Sequence, residues 1–313
     1  MSSQARNSKT AYAYLGPAGT FTELALRQVT SAVGKDWIPV ATVSEALSLV
    51  LSGKAARAVV PVESSVEGGV SATLDALANM DGLQIYGEYL VPVNFNLVAR
   101  PGVKLTDVKT VAAHPVAYAQ VRKWLSANLK SHKHLPATSN AAAASDLWEN
   151  EKIDAAVSTP NITDHYMVKV IAKNIADTKH AETRFIEVGK KGSIPKRTGQ
   201  DKTSVIVELP SDRPGALLEM LEQFAVRGVN LSRIESRPVG DRLGRYRFNV
   251  DAIGHATDEA VAEAIQGLYR FSPKLTFLGS YPRADKKASV HEGNNTSENY
   301  MTAKRWWSKV AGK

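Results

Sequence analysis

A hydroxyl, a guanidinium and an aromatic ring stand side by side at Thr183-Arg184-Phe185, where the polar run Asp177–Glu182 gives way to an apolar one. Loops that enter strands tend to carry function on a rigid scaffold, so these side chains are expected to face a cleft. An alcohol there can donate a hydrogen bond to an oxygen that gains negative charge. A guanidinium can grip a carboxylate at two points. By itself, though, the triplet fits a strand start with a surface arginine at least as well. A second polar cluster lies in Pro61-Val-Glu-Ser-Ser-Val-Glu-Gly-Gly-Val70, where a strand ends in the carboxylate of Glu63 and the hydroxyls of Ser64 and Ser65. Glu63 suits two jobs: a buried acid with a raised pKa, or a carboxylate stabilised at the next helix N-terminus. The third cluster, Gly16-Pro-Ala-Gly-Thr-Phe21, follows the apolar strand Ala11–Leu15. Thr20 and Glu23 have the spacing of a capping box, and the turn at Gly19, Thr20 and Phe21 would point backbone N–H groups at an anion. Only Gly16 and Gly19 are present, so the dinucleotide fingerprint is missing and no nicotinamide cofactor is expected.

His114-Pro115 precedes a helix carrying Tyr118, Gln120 and Trp124. His114 suits a structural or surface role better than that of a base, since one neutral imidazole settles into either. His132 and His134 fall in a polar stretch with no nearby partner and are expected to be solvated. No His, Asp and Glu set has metal-ligand spacing, and with no cysteine in the chain there are no disulfides, thiolate nucleophiles or cysteine metal sites.

These residues need elements to hold them. From Ala11 to Val188 short apolar strands alternate with amphipathic helices, the pattern of an α/β domain with ligands at the strand carboxyl ends. The chain crosses between two such segments twice, which predicts a cleft between lobes with Thr183 near a hinge. A charged connector with Gly and Pro occupies 190–202. Beyond it the order βαββαβ reads as a ferredoxin-like module over 203–282. There Asp212-Arg-Pro-Gly-Ala-Leu217 predicts a helix start with Pro two residues after a capping Asp. Gly215 either lets backbone approach a carboxylate or simply makes a tight helix start. Residues 283–313 form a polar tail whose Tyr300, Ala303, Trp307 and Val310 would share one face of a short docking helix.

The chain has 313 residues, 43% hydrophobic and 22% charged, with a formal net charge of +8. Seven Lys/Arg against three Asp/Glu in the tail supply about half of that charge. No basic stripe interleaves with aromatics in the domains, so no nucleic-acid partner is expected. No apolar run approaches the ~18 residues of a membrane span, and the polar first ten residues lack a signal-peptide core. A cytoplasmic protein without a membrane partner is the expectation.

Three of these blocks occur in order: Gly16–Phe21, Pro61–Gly68 and Thr183–Phe185. With Gly215-Ala216-Leu217 and Glu235-Ser236-Arg237-Pro238 they give the chain a resemblance to the prephenate dehydratases over about residues 10–282. The Trp306-containing end is similar to the tail of actinobacterial members. The resemblance implies a two-lobed, periplasmic-binding-protein-like α/β catalytic domain (10–189), a linker (190–202) and an ACT regulatory domain (203–282). It implies conversion of prephenate to phenylpyruvate, water and CO2 without a cofactor or metal, because aromatisation drives the reaction. Thr183 is then the expected proton donor to the leaving hydroxyl, with Glu63 as the rival. Arg184 either holds the pyruvyl carboxylate or braces the loop; a strong pair to the ring carboxylate would stabilise the ground state more than the transition state. Gly19, Thr20, Phe21, Ser64, Ser65, Gln120 and Phe185 are the implied substrate contacts, with an exposed helix position as the lesser alternative for Gln120. L-phenylalanine is the implied effector, bound by Gly215, Ala216, Leu217, Glu235, Ser236, Arg237 and Pro238 between paired ACT domains, so a homodimer or homotetramer is expected. Three positions depart from the family: Ser64 stands where Asn is usual, Ala113 where Ser often precedes His-Pro, and His180 where Asn is common.

Overall fold

The computed structural model describes residues 11–240, 244–289 and 293–312. The first ten residues, read above as a polar start without a signal core, lie outside them, as do His291 and Lys313 of the tail. The described residues form two compact units: 11–70 with Tyr89–Phe185, and Ser71–Glu88 with the described residues from Ile186 onward.

The first unit opens with β1 (Tyr12–Leu15), α1 (Phe21–Leu26), β2 (Trp37–Val40), α2 (Val43–Leu51), β3 (Arg57–Ser64) and the short β4 (Gly68–Gly69). After α3 (Ser71–Asn79), β5 (Leu83–Pro92) runs from the second unit back into the first. Its sheet has the order β2-β1-β3-β11-β5, where β11 is Glu182–Lys190, and β4 pairs with β3. β1 is parallel to both β2 and β3. Tyr12, Tyr14, Val59, Val91 and Phe185 pack with Ala25 and Leu26 of α1 in one core. α2 shows why such helices form: Thr42 accepts the Glu45 N–H at 3.1 Å, Glu45 accepts that of Ala41, and Val43, Ala46, Leu47 and Val50 are buried at helical spacing.

A second lobe of the same unit comprises β6 (Asn96–Ala99), β7 (Thr110–Ala113), α4 (Pro115–Asn128), β8 (Lys133–Pro136), α5 (Asn140–Glu149), β9 (Ala155–Ser158) and β10 (Lys169–Ala172). The sheet order is β10-β6-β9-β7-β8. Ala141, Ala143 and Ala144 of α5 are buried with Val98, Ala112 and Ala156, small residues that let helix and sheet lie close. His132 and His134 are not solvated loop residues. The His134 ring stacks on Tyr118 with centroids 3.8 Å apart, and the Tyr118 hydroxyl lies 2.9 Å from His132 Nε2. Residues distant along the chain supplied the partner that local reading lacked.

In the second unit, β12 (Asp201–Glu208), α6 (Ala216–Ala225), β13 (Leu231–Pro238), β14 (Tyr246–Ile253), α7 (Glu259–Phe271) and β15 (Leu275–Pro282) form the expected βαββαβ order. The four strands are antiparallel in the order β13-β14-β12-β15. Val205, Val207, Phe248 and Val250 pack on Met220 and Phe224 of α6 and on Val261 and Leu268 of α7. Together with the two-lobed α/β part this is the anticipated fold class. Helix α6 differs in its start. Gly215, at φ +85°, is the N-cap, with no side-chain cap, because Pro214 closes a turn before the helix begins. On β14, Arg247, Asn249 and Asp251 alternate with Phe248 and Val250, and on β13 Arg237, Glu235 and Arg233 stand opposite those three in turn. On that polar side, Glu88 of β5 and Lys202 of β12 form a buried ion pair at 2.9 Å. The tail helix α8 (Ser297–Val310) packs by Tyr300 against this core and pairs Lys304 with Glu259. Docking stops there: Trp307 and Val310 stay about 60% exposed.

Candidate active site and effector region

A cavity of about 530 Å³ opens in the first unit. Thr183 and Phe185 of β11 face it, joined by Thr20 and Phe21 at the start of α1 and by Pro61, Glu67 and Val70 around β3 and β4. From the other lobe come His114, Thr138, Ser139, Asn140 and Thr159. His114 is the N-cap of α4 and Ser139 that of α5, where Ser139 accepts the Ala142 N–H at 2.9 Å. Two helix N-termini and several hydroxyls therefore converge on one space, which favours a ligand with negative charge. Phe21 also meets Phe95 edge-on, with ring centroids 5.4 Å apart, so the apolar wall is fixed.

Arg184 does not line this cavity. It is only 7% exposed, and its Nη1 donates to Glu63 Oε2 at 3.1 Å. Ser64 accepts the N–H groups of Val66 and Glu67 and shapes the turn into β4. Ser65 joins this turn to the Thr183 strand: its N–H donates to the Glu182 carbonyl, and its hydroxyl accepts the Glu182 N–H, both at 2.9 Å. Gln120 donates to Glu67 at 3.4 Å across the two lobes. Gly19 adopts φ +82° and gives its N–H to Glu23, not outward. Glu23 thus reaches one residue beyond the Thr20 cap predicted for a capping box, while Thr20 Oγ1 accepts the Glu23 N–H at 3.4 Å. Among the described residues no group of three or more His, Asp or Glu is placed to hold a metal ion, and no helix is long and apolar enough to cross a membrane.

The candidate effector residues sit in the second unit. Gly215 presents open space, Ala216 is buried, and Leu217 is exposed. On β13, Ser236 and Pro238 are exposed, while Glu235 pairs with Arg233 at 3.0 Å. Arg237 turns to α3: its Nη2 donates to Asp75 Oδ2 at 2.7 Å, and Arg247 donates to the same carboxylate at 2.8 Å. The Arg237 guanidinium, aided by Arg247, holds the Asp75 carboxyl below its usual range against the opposing effect of burial.

The family model for prephenate dehydratase matches residues 12–193, and that for the ACT domain matches residues 203–268. The chain belongs to the prephenate dehydratase family. It is 46% identical over 286 residues to the prephenate dehydratase of Mycolicibacterium vanbaalenii, covering 87% of this chain and 91% of that protein. The Mycobacterium tuberculosis prephenate dehydratase is 44% identical over 278 residues, 86% of each chain. Among solved structures, the prephenate dehydratase of Arthrobacter aurescens in complex with L-Phe is 49% identical, with a TM-score of 0.92 over 97% of this chain and 100% of that one. Within this prephenate dehydratase fold, Thr138, Asn140 and Thr159 are cavity residues that the sequence motifs did not single out. A usable signal existed for two of them. Thr159 follows the carboxyl end of β9, and Asn140 opens a helix directly after its cap.

Proposed function

We propose that the cavity bounded by Thr183 and Phe185 converts prephenate to phenylpyruvate, and that residues 10–189 act as the catalytic domain, 190–202 as linker and 203–282 as the regulatory domain. The observation that carries the reading is that Thr183 lines a space shared with two helix N-termini, several hydroxyls and the rings of Phe21 and Phe185. Prephenate is a dianion, and dipole ends with hydroxyls suit its carboxylates without locking either into a strong pair. As the bond from the ring to its carboxylate breaks, that electron pair moves through the ring and the carbon–oxygen bond to the hydroxyl breaks. CO2 departs, the ring becomes aromatic, and the departing hydroxide takes one proton, supplied by solvent, and leaves as water. Thr183 donates its hydrogen bond as charge grows on that oxygen, where such a contact is worth most. Glu63, the rival donor, is engaged with Arg184. The pair supports the reading in which Arg184 braces the turn that carries Ser64 and Ser65. The reaction needs no cofactor.

L-phenylalanine is the proposed effector, bound by Gly215–Leu217 and Glu235–Pro238 in a homodimer or homotetramer of a cytoplasmic enzyme. Exposed Leu217, Ser236 and Pro238 support this contact. The partnership of Arg237 with Asp75 leaves its guanidinium a structural task in the free chain. The test is direct: purified protein with prephenate, followed for phenylpyruvate with and without L-phenylalanine. Turnover that falls as phenylalanine rises supports both parts. No phenylpyruvate from the folded protein would overturn the catalytic reading, and a flat phenylalanine response the regulatory one.

A further inference from the structure

Glu23 lies on α1, is buried at 2% exposure and does not line the cavity, yet four nitrogen atoms from three residues converge on its carboxylate. It accepts the Gly19 N–H at 2.6 Å, Arg27 Nε at 3.1 Å and Arg27 Nη2 at 2.6 Å. His165 Nε2 lies 2.9 Å away. His165 belongs to the other lobe, in the segment after β9 that also carries Thr159 and Asp164. Arg27 spans the same gap, with Nη1 donating to Asp164 Oδ2 at 2.7 Å. The Gly19 peptide is held from both sides. Thr159 Oγ1 donates to its carbonyl at 2.5 Å, and a Cβ on Gly19 would lie 2.7 Å from Ile162 Cδ1. Thr20 and Phe21, the next two residues, line the cavity, as does Thr159. Burial pushes the Glu23 carboxyl up, but the Gly19 N–H, His165 and Arg27 together outweigh it and keep it below the usual range.

We propose that Glu23 is a positioning residue that latches the two lobes through His165 and fixes the Gly19 turn, so that the substrate-binding walls meet only when the latch is made. The inference rests on the reading of the cavity as the prephenate site. Prephenate must enter between the lobes and phenylpyruvate must leave, so the latch opens and closes with each turnover. When only a fraction of molecules is closed, apparent affinity falls by that fraction, whereas turnover of the closed complex is unaffected. A merely structural role would instead lower the amount of active protein and leave KM alone.

The experiment measures KM and kcat for prephenate in the wild type, Glu23→Gln, His165→Ala and His165→Gln, with phenylpyruvate binding by calorimetry alongside. Wild-type turnover tests the reaction itself, and the variant-to-wild-type ratios test the latch. A rise in KM on the order of 10-fold in His165→Ala, with kcat kept within about twofold, supports the latch. His165→Gln, whose amide N–H can replace the ring donor, should restore most of the affinity. Should Glu23→Gln fail to fold, the His165 pair still decides, since that side chain is partly exposed. Unchanged KM and unchanged phenylpyruvate affinity in His165→Ala would overturn the proposal, and so would a lower kcat at unaltered KM.

Discussion

A strand turns successive side chains to opposite faces, so Thr183 and Arg184 have separate work. Thr183→Ala should lower kcat by on the order of 10²-fold with little change in prephenate binding, because its hydrogen bond matters mainly as charge develops. Thr183→Ser should keep more activity, and steady-state kinetics on the three proteins checks both expectations. An alanine variant as fast as wild type would return the acid role to Glu63. For Arg184, buried against Glu63, lysine is a poor replacement, since an ammonium on a flexible stem cannot reproduce the planar donor. Arg184→Lys should lose turnover through a displaced Ser64–Ser65 turn, and a variant with wild-type kinetics would remove that bracing role. Much of this site was legible in sequence because strand ends, glycine turns and helix caps announce themselves locally. Thr183, Phe185, Thr20 and Phe21, which the motifs single out, all line one cavity. His165 was not legible, for its partner Glu23 is 142 residues away and nothing near either residue specifies the pairing.

At the level of elements, the start of α6 is the most exacting turn. Gly215 at φ +85° caps the helix without a side chain, a backbone state that β-branched residues resist. Gly215→Val should therefore distort the turn and weaken L-phenylalanine inhibition. With coupling energies typically ~1–3 kcal/mol, ~5–150-fold of modulation is at stake. A phenylalanine dose series with calorimetry on the folded variant measures the loss, and unchanged binding would place the effector elsewhere. The α1 latch makes an acid-range prediction. Glu23 has a folded pKa depressed below its ordinary 4.5, so its stabilisation is present above pH 4.5 and is lost as pH falls through the lower folded value. Melting temperatures of wild type and Glu23→Gln should differ at pH 6 and converge as the pH is lowered through the depressed folded-state pKa of Glu23. A gap that does not narrow at all as the pH is lowered from 6 through the acid range would show that the carboxylate charge is not what holds α1. Helices and strands themselves were readable from periodicity. The α6 boundary was misplaced because Asp-x-Pro spacing imitates a cap that a left-handed glycine actually supplies.

On the scale of the whole molecule, the two compact units are interleaved along the chain, and α3 with the first half of β5 belongs with the C-terminal sheet. Glu88 and Lys202 bind that arrangement by a buried pair, and the Ala284 N–H donates to the same carboxylate at 3.0 Å. Removing one member of such a pair strands the other, at a cost typically ~3–5 kcal/mol, whereas replacing both by apolar residues of similar size is often close to neutral. Lys202→Met should thus lower the denaturation midpoint sharply, and Glu88→Leu combined with Lys202→Met should recover most of it. Chemical denaturation of the single and double variants measures the difference, and equal midpoints for wild type and Lys202→Met would mean the pair contributes nothing. Local patterns did not reveal this interleaving, because the connector at 190–202 looks like an ordinary boundary and the residues that cross it in space lie a hundred positions upstream. A gene that recombined at that connector would inherit its regulatory sheet from one parent and Asp75 and Glu88 from the other. The hybrid would bury a lysine and two arginines against an unrelated helix and strand. Exchange of the C-terminal module between lineages is therefore filtered by two carboxylates encoded far from the crossover.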